Sequence, residues 1–342
     1  MDRLTDRLPA PSRNVALGLG VACVVALLLV PTLTSNYVEK LVLKGVVFAI
    51  LAISWNMLAG YAGQISLGHA AFFGLGAYIS AWVTTPSAAG FPEWLAMPAL
   101  VAIVVGGLGA AILALLTGPA MFRLRGHYFA IGTLALAAII QLLLNNMQSL
   151  SGGATGYYVQ NNFGSAAVFY LAVLALVAVF AVTYYMMKGR LGLGMQAIRD
   201  DQDAASTLGV SPLRYKMWAF VVSSFFAGVA GGLYAQHAMY VNASTTLGVS
   251  WTIDTLVIVI LGGMGTMIGP LLGAGIFMAI DNLLTDLVGV LATSLEGILI
   301  ALFVIFAPQG LYGFLKDRFL DERRPGAEHP TGDSAAVERG SD

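Results

Sequence analysis

Gln64, Ser66 and His69 stand inside the stretch GYAGQISLGHAAFFGLGAY (60–78), where no Asp, Glu, Lys or Arg occurs from Gly45 to Pro92. Side chains that offer hydrogen bonds without charge suit a weakly binding route for a neutral or zwitterionic solute. His69 has no second ligand near it in sequence, so this pattern does not support a metal site. Gly60, Gly63, Gly68, Gly74 and Gly76 interrupt the same stretch. In lipid, interrupted backbone is tolerated only where it faces protein or a cavity, so these glycines either line a path or pack tightly against a neighbour. A second interrupted stretch, GGMGTMIGPLLGAG (262–275), offers little beyond backbone groups. Carboxylates inside apolar segments are costly and usually functional. Asp254, Asp281, Asp286 and Glu296 are of this kind. Asp281 and Asp286 suit structural bonds between helices. Glu296 lies deepest in its segment and lines a path or has a structural partner, with neither favoured. Gln141, Asn145 and Asn146, followed by SGGATG (151–156), form a candidate outer mouth.

Chemistry of other kinds finds no support. The sequence has no G-x-x-x-x-G-K-[ST] phosphate loop, no nucleophile–base pair and no paired-histidine motif. The single cysteine, Cys23, lies in an apolar run and excludes both an internal disulfide and a cysteine-clustered metal site.

The elements that hold these residues follow from composition. Of 342 residues, 58% are hydrophobic and only 10% charged, against about 25% charged in an ordinary soluble domain. Mean hydropathy is +0.81. The fold class is an all-α polytopic membrane protein. A spanning helix needs about 20 mainly apolar residues, and about ten segments qualify: roughly 15–33, 38–58, 69–85, 95–117, 128–146, 164–187, 215–236, 251–266, 268–285 and 288–307. The first follows Arg3, Arg7 and Arg13 like a signal peptide, but no small-x-small cleavage site follows, so it is expected to stay as a span. With the N-terminus inside, 15 of the 17 Lys and Arg fall on inner segments or adjacent helix ends, and only Lys40 and Lys44 lie near the outer face. The positive-inside rule then gives N-in and C-in with an even number of spans, and eight or ten both satisfy it if the broken segments are re-entrant. Residues 1–14 form an inner N-terminal segment and 15–310 the transmembrane domain. Residues 311–342, rich in Pro, Gly and mixed charges, form a largely disordered inner tail.

One inner segment, residues 188–216, has its own helical grammar. Met195–Leu208 is free of Gly and Pro, Gly209 suits a C-cap, and Ser211 with Pro212 opens the next helix. Ala197, Ala204, Ala205 and Leu208 are small or apolar, and Arg199, Asp200, Asp201 and Asp203 form a charged patch. Small residues on an exposed helix point to close docking of a partner, in preference to a solvated connector.

This loop, AIRDDQDAASTLGVSPLRYKMWAFVVSSFFAGVAGGLYA, resembles the coupling loop of permeases of branched-chain amino acid ABC importers. The stretch 60–78, RGHYFAIGTLALAAIIQLLLNN with SGGATG, VILGGMGTMIGPLLGAGIF and APQGLYG resemble further blocks of that family in the same order. Together they cover most of residues 45–313, and order and length are closer to the LivM-type subunit than to its paralogous partner. The resemblance implies a transport subunit in a bacterial cytoplasmic membrane that is not itself an enzyme and carries no cofactor. It further implies a homologous second permease, two cytoplasmic ATPases that bind ATP-Mg, and an extracytoplasmic solute-binding protein. Nucleic acid has no part in it. ATPase closure would reach the spans through Ala197, Arg199, Asp200, Asp201, Asp203, Ala204, Ala205 and Gly209. Gly60, Gly63, Gln64, Ser66, Gly68, His69, Gln141, Asn145 and Glu296 are the path candidates. Urea or short amides are alternative cargo, and an ion-coupled secondary transporter is the rival from another class.

Overall fold

The computed structural model describes residues 13–160 and 164–291, with the isolated positions 295, 297 and 298 beyond them. Among the described residues the chain is helical almost throughout. Helix α1 runs Arg13–Leu33 and α2 Asn36–Asn56, prolonged by a π turn at Met57–Tyr61. After a break come α3 (His69–Thr84), α4 (Ala99–Met121), α5 (His127–Asn146) and the short α6 (Gln148–Ser151). The chain continues through α7 (Ser165–Lys188), α8 (Arg190–Asp200), α9 (Gln202–Thr207) and α10 (Pro212–Ala238). The short α11 (Ala243–Thr246) leads to α12 (Ser250–Gly262) and α13 (Gly269–Val288). Two-residue strands β1 (Tyr157–Tyr158) and β2 (Tyr240–Val241) pair antiparallel, with Tyr157 opposite Val241.

Seven helices among the described residues are long and apolar enough to cross a membrane: α2 with its π turn, α4, α5, α7, α10, α11–α12 taken together, and α13. The remaining expected spans differ for physical reasons. Helix α1 yields only a short apolar piece, Gly20–Leu33. Helix α3 has 16 residues because the chain before it is irregular. The segment 288–307 lies largely outside the described residues, as do 1–12, 311–342 and Glu296.

Burial orders the helices. Of the most apolar window of α2, 78% is buried, against 28% for α5 and 22% for α13. A helix apolar on every side belongs inside, and α2 runs through the middle while α5 and α13 present a face outward. Helices α3, α4 and α10 pack most extensively on one another. They approach over glycine: a Cβ at Gly76 would run into the backbone of Gly228, and one at Gly106 would meet the Gly76 carbonyl. Without a hydrophobic drive between helices in lipid, such backbone approach supplies the packing contacts. For Gly76, tight packing is therefore the observed role. Beside this seam Trp251 stacks on Phe73 at 4.3 Å and lies 5.0 Å from Phe48 and 4.8 Å from Tyr234. Aromatic pairs of this geometry contribute about 0.5–1.5 kcal/mol each beyond burial.

One end of the bundle is fastened by polar bonds. Lys44 pairs with Asp281 at 2.9 Å, Tyr37 donates to Asn282 at 2.9 Å, and Ser165 donates to Glu39 at 2.5 Å, joining α2, α13 and α7. The β1–β2 pair follows the end of α10, which at about 1.5 Å per residue reaches from there to α8–α9 at the opposite end.

A candidate coupling site between two broken spans

The first break begins where α2 passes into the π turn. Gln64 N–H turns back to the Leu58 carbonyl at 3.1 Å, and Gly63 has φ of +67°. Trp55 Nε1 donates to the Ser66 carbonyl at 2.8 Å and fixes the return of the chain. Backbone donors near the start of α3 are met by hydroxyls from distant helices. Leu67 N–H donates to Thr133 Oγ1 of α5 at 3.0 Å, and Ala70 N–H donates to Thr252 Oγ1 of α12 at 2.9 Å. Ser66 Oγ accepts from Gly68 N–H and lies 3.2 Å from His69 Nδ1. The unwound backbone is thus largely satisfied inside protein, as lipid requires.

The second break separates α12 from α13. Gly263 and Gly265 have φ of +111° and +77°. Thr266 Oγ1 donates to the Gly263 carbonyl at 2.7 Å and accepts from Gly269 N–H at 3.1 Å, closing the turn before Pro270. A Cβ at Gly273 would meet the Ile258 carbonyl, so α12 and α13 approach over small residues here too.

The two breaks meet at one side chain. Asn56 is 1% exposed. Its Nδ2 donates to the Thr266 carbonyl at 2.9 Å, and its Oδ1 accepts from Gly265 N–H at 2.8 Å. Arg199, at the end of α8, reaches the same place and donates from Nη1 to the Gly60 carbonyl at 2.5 Å. The last carbonyls of a helix have no intrahelical donor and carry its negative dipole end, which a guanidinium satisfies twice over.

The coupling loop itself departs from the single helix expected over Met195–Leu208. It is two helices hinged at Asp201, whose backbone is extended and whose Oδ1 accepts from Asp203 N–H and Ala204 N–H at 2.9 Å each. Asp competes with helical hydrogen bonding and prefers to cap, so the chain restarts there. Gly209 closes α9 as expected, at φ of +84°. Gly209 N–H bonds to Ser206 and Val210 N–H to Ala205, the paired bonds of a Schellman ending. Pro212 opens α10, while the Ser211 side chain makes no capping bond. Lys216 donates to Gln202 at 2.5 Å, holding α9 against α10.

The expected site residues divide accordingly. Asp200, Asp201, Asp203, Ala204 and Gly209 are exposed, Ala197 is half-buried, and Ala205 is buried. Leu208, at 84% exposed, is the prominent apolar side chain of the loop. Arg199 is exposed as a residue too, but it parts from the acidic patch because its guanidinium turns to the Gly60 carbonyl of the first break. Gly60, Ser66, Gly68 and His69 are buried, Gln64 is half-buried over the Ala62 and Gly63 carbonyls, and Gly63 is exposed. Gln141 and Asn145 are half-buried on α5 and stand apart from this group, Gln141 at 3.5 Å from the Ser244 carbonyl. Asn56, Thr133 and Thr252 were not singled out in the sequence. Asn56 was detectable as the one amide in the uncharged part of its helix, after Lys44, but the partners of all three are remote in sequence.

The chain matches, over residues 37–308, the family described as "Branched-chain amino acid transport system / permease component". It is 30% identical to the high-affinity branched-chain amino acid transport system permease protein LivM of Escherichia coli K12, covering 85% of this chain and 73% of that protein. It is 25% identical to the permease protein LivH of the same bacterium, named for the same high-affinity branched-chain amino acid transport system, covering 79% and 92%. No solved structure matches it. Broken, glycine-packed spans tied to a capped loop thus go with a match over most of the chain, and the protein belongs to the family of branched-chain amino acid transport permease components.

Proposed function

We infer that this chain is a membrane subunit of an ATP-driven importer and carries branched-chain amino acids into the cytoplasm. The observation that carries the reading is the two-faced α8–α9 element. Its outward side is exposed and capped, and on its inward side Arg199 bonds the first broken span and lies against Gly265 of the second. An element so placed can pass motion from a docked partner to the breaks. The partner surface consists of Leu208, Ala204, Asp200 and Asp203, and two ATPases that bind ATP-Mg would supply the energy. Cargo and a second permease follow from the relatives: one bacterium holds two differently named permease proteins of a same-named transport system, both similar to this chain. An extracytoplasmic binding protein would deliver substrate near β1–β2, and the chain would need no cofactor of its own. N-in, C-in topology in a bacterial cytoplasmic membrane places the basic loop residues inside.

The test is purification of the tagged chain with its partners, followed by uptake of radiolabelled leucine into liposomes. Leu208→Asp, at an exposed position, is expected to release the ATPases and lower ATP-dependent uptake by about tenfold or more, as loss of an interface anchor does. Unchanged ATPase binding and uptake would remove α8–α9 as the docking element.

A further inference from the structure

We propose that Arg199 is the latch through which the coupling loop holds the two breaks closed, a positioning role that rests on the importer reading above. Three observations converge on it. Its Nη1 donates to the Gly60 carbonyl, in the last turn of the α2 segment. A Cβ at Gly63 would stand 3.1–3.3 Å from the Arg199 Cα, Cβ and Cγ, so the first break wraps the base of the side chain. A Cβ at Gly265 would stand 2.7 Å from Nη1, so the second break wraps its tip. Gly63 and Gly265 both hold positive φ, at +67° and +77°, which lets bare backbone approach the side chain from two sides.

Electrostatics explains why this residue is an arginine. The α2 segment ends at Tyr61 with the guanidinium on its Gly60 carbonyl, and the loop that follows α12 passes the same group at Gly265. The end of the α2 segment contributes about half a negative charge there. A guanidinium is always charged and has five donors in a fixed fork, so it can bond the Gly60 carbonyl while its tip lies against the second break. Asn56 joins the breaks to each other independently, at 2.8 and 2.9 Å. Arg199 is therefore free to leave without scattering them, and its departure uncovers a pair of breaks that are already registered. The Asp201 hinge begins two residues later. A push on α9 at Leu208 is transmitted across that hinge to the end of α8, where Arg199 sits.

The test combines geometry with coupling. Nitroxides are placed at Ile65 and Met264, exposed positions beside each break at 48% and 41%, in a Cys23→Ser background. The distance between them is measured in the purified importer complex. Leucine imported per ATP hydrolysed is measured in the same complexes without labels. Arg199→Gln is expected to broaden the distance distribution and to lower leucine per ATP by about tenfold, with ATPases still bound, the scale of one charge-assisted bond. Arg199→Lys keeps the charge without the fork and should fall between. Wild-type distances and wild-type coupling in Arg199→Gln would overturn the latch. Loss of bound ATPase in Arg199→Gln would overturn it as well, making Arg199 a docking residue. Failure of the importer reading is distinguishable, because no ATPase would then accompany the wild-type chain.

Discussion

At the scale of residues, the site depends on a few buried polar groups that satisfy backbone donors and carbonyls of the breaks. Asn56 is the clearest. Replacing it with Leu removes both bonds to 265–266 and strands a half-buried N–H and C=O, at about 1 kcal/mol for each group. The expected result is a lower unfolding midpoint in detergent and loss of ATP-coupled uptake, whereas Asn56→Gln should fail nearly as badly because its amide sits one methylene too far. Thr133→Val and Thr252→Val each strand one backbone N–H at the start of α3 and should cost about 1 kcal/mol or more, read by thermal unfolding. Gln64, half-buried with its amide bonded to adjacent carbonyls, is the contrast. Gln64→Ala should leave the midpoint unchanged within about 0.5 kcal/mol, so that any loss of uptake reports on the path. The pattern of types around 60–69 was legible in the sequence, since glycines and uncharged polar side chains in an apolar run have few uses. The partners were not. Asn56 bonds 209 and 210 residues away and Arg199 bonds 139 residues away, and side-chain periodicity reports a face of a helix without saying what meets it.

At the scale of elements, hydropathy located most spans because solvent exclusion acts on whole segments. It failed at α8–α9, where the run free of Gly and Pro suggested one helix. The signal for two was present: Asp201 followed by Gln202, Asp203 and Ala204 is an N-cap with an acidic first turn. Asp201→Ala should destabilise α9 by about 0.5–2 kcal/mol, seen as faster amide hydrogen exchange over 202–207, and Asp201→Asn should restore most of the protection. The α3–α4–α10 seam allows a different prediction. Gly76→Val forces a branched side chain against the Gly228 backbone and should prevent close packing of α3 on α10. Recovery of folded protein from the membrane would fall sharply, while Gly164→Ala, with open space around it, would leave recovery unchanged.

At the scale of the whole molecule, the bundle has two ends with different jobs. One end holds the Lys44–Asp281 pair, the Glu39–Ser165 bond and the β1–β2 pair, and ties helices together by side chains. The other end holds both breaks and the α8–α9 segment, and ties them through Asn56 and Arg199. Asp281 is paired with Lys44, in keeping with the structural bond expected of it. The measurement closest to the central claim is leucine uptake by the purified complex in liposomes, with ATP supplied or withheld on the α8–α9 side and with no ion gradient. Uptake that requires ATP, and that falls about tenfold in Leu208→Asp, is the predicted result. Uptake that proceeds without ATP and follows an imposed ion gradient would contradict the account.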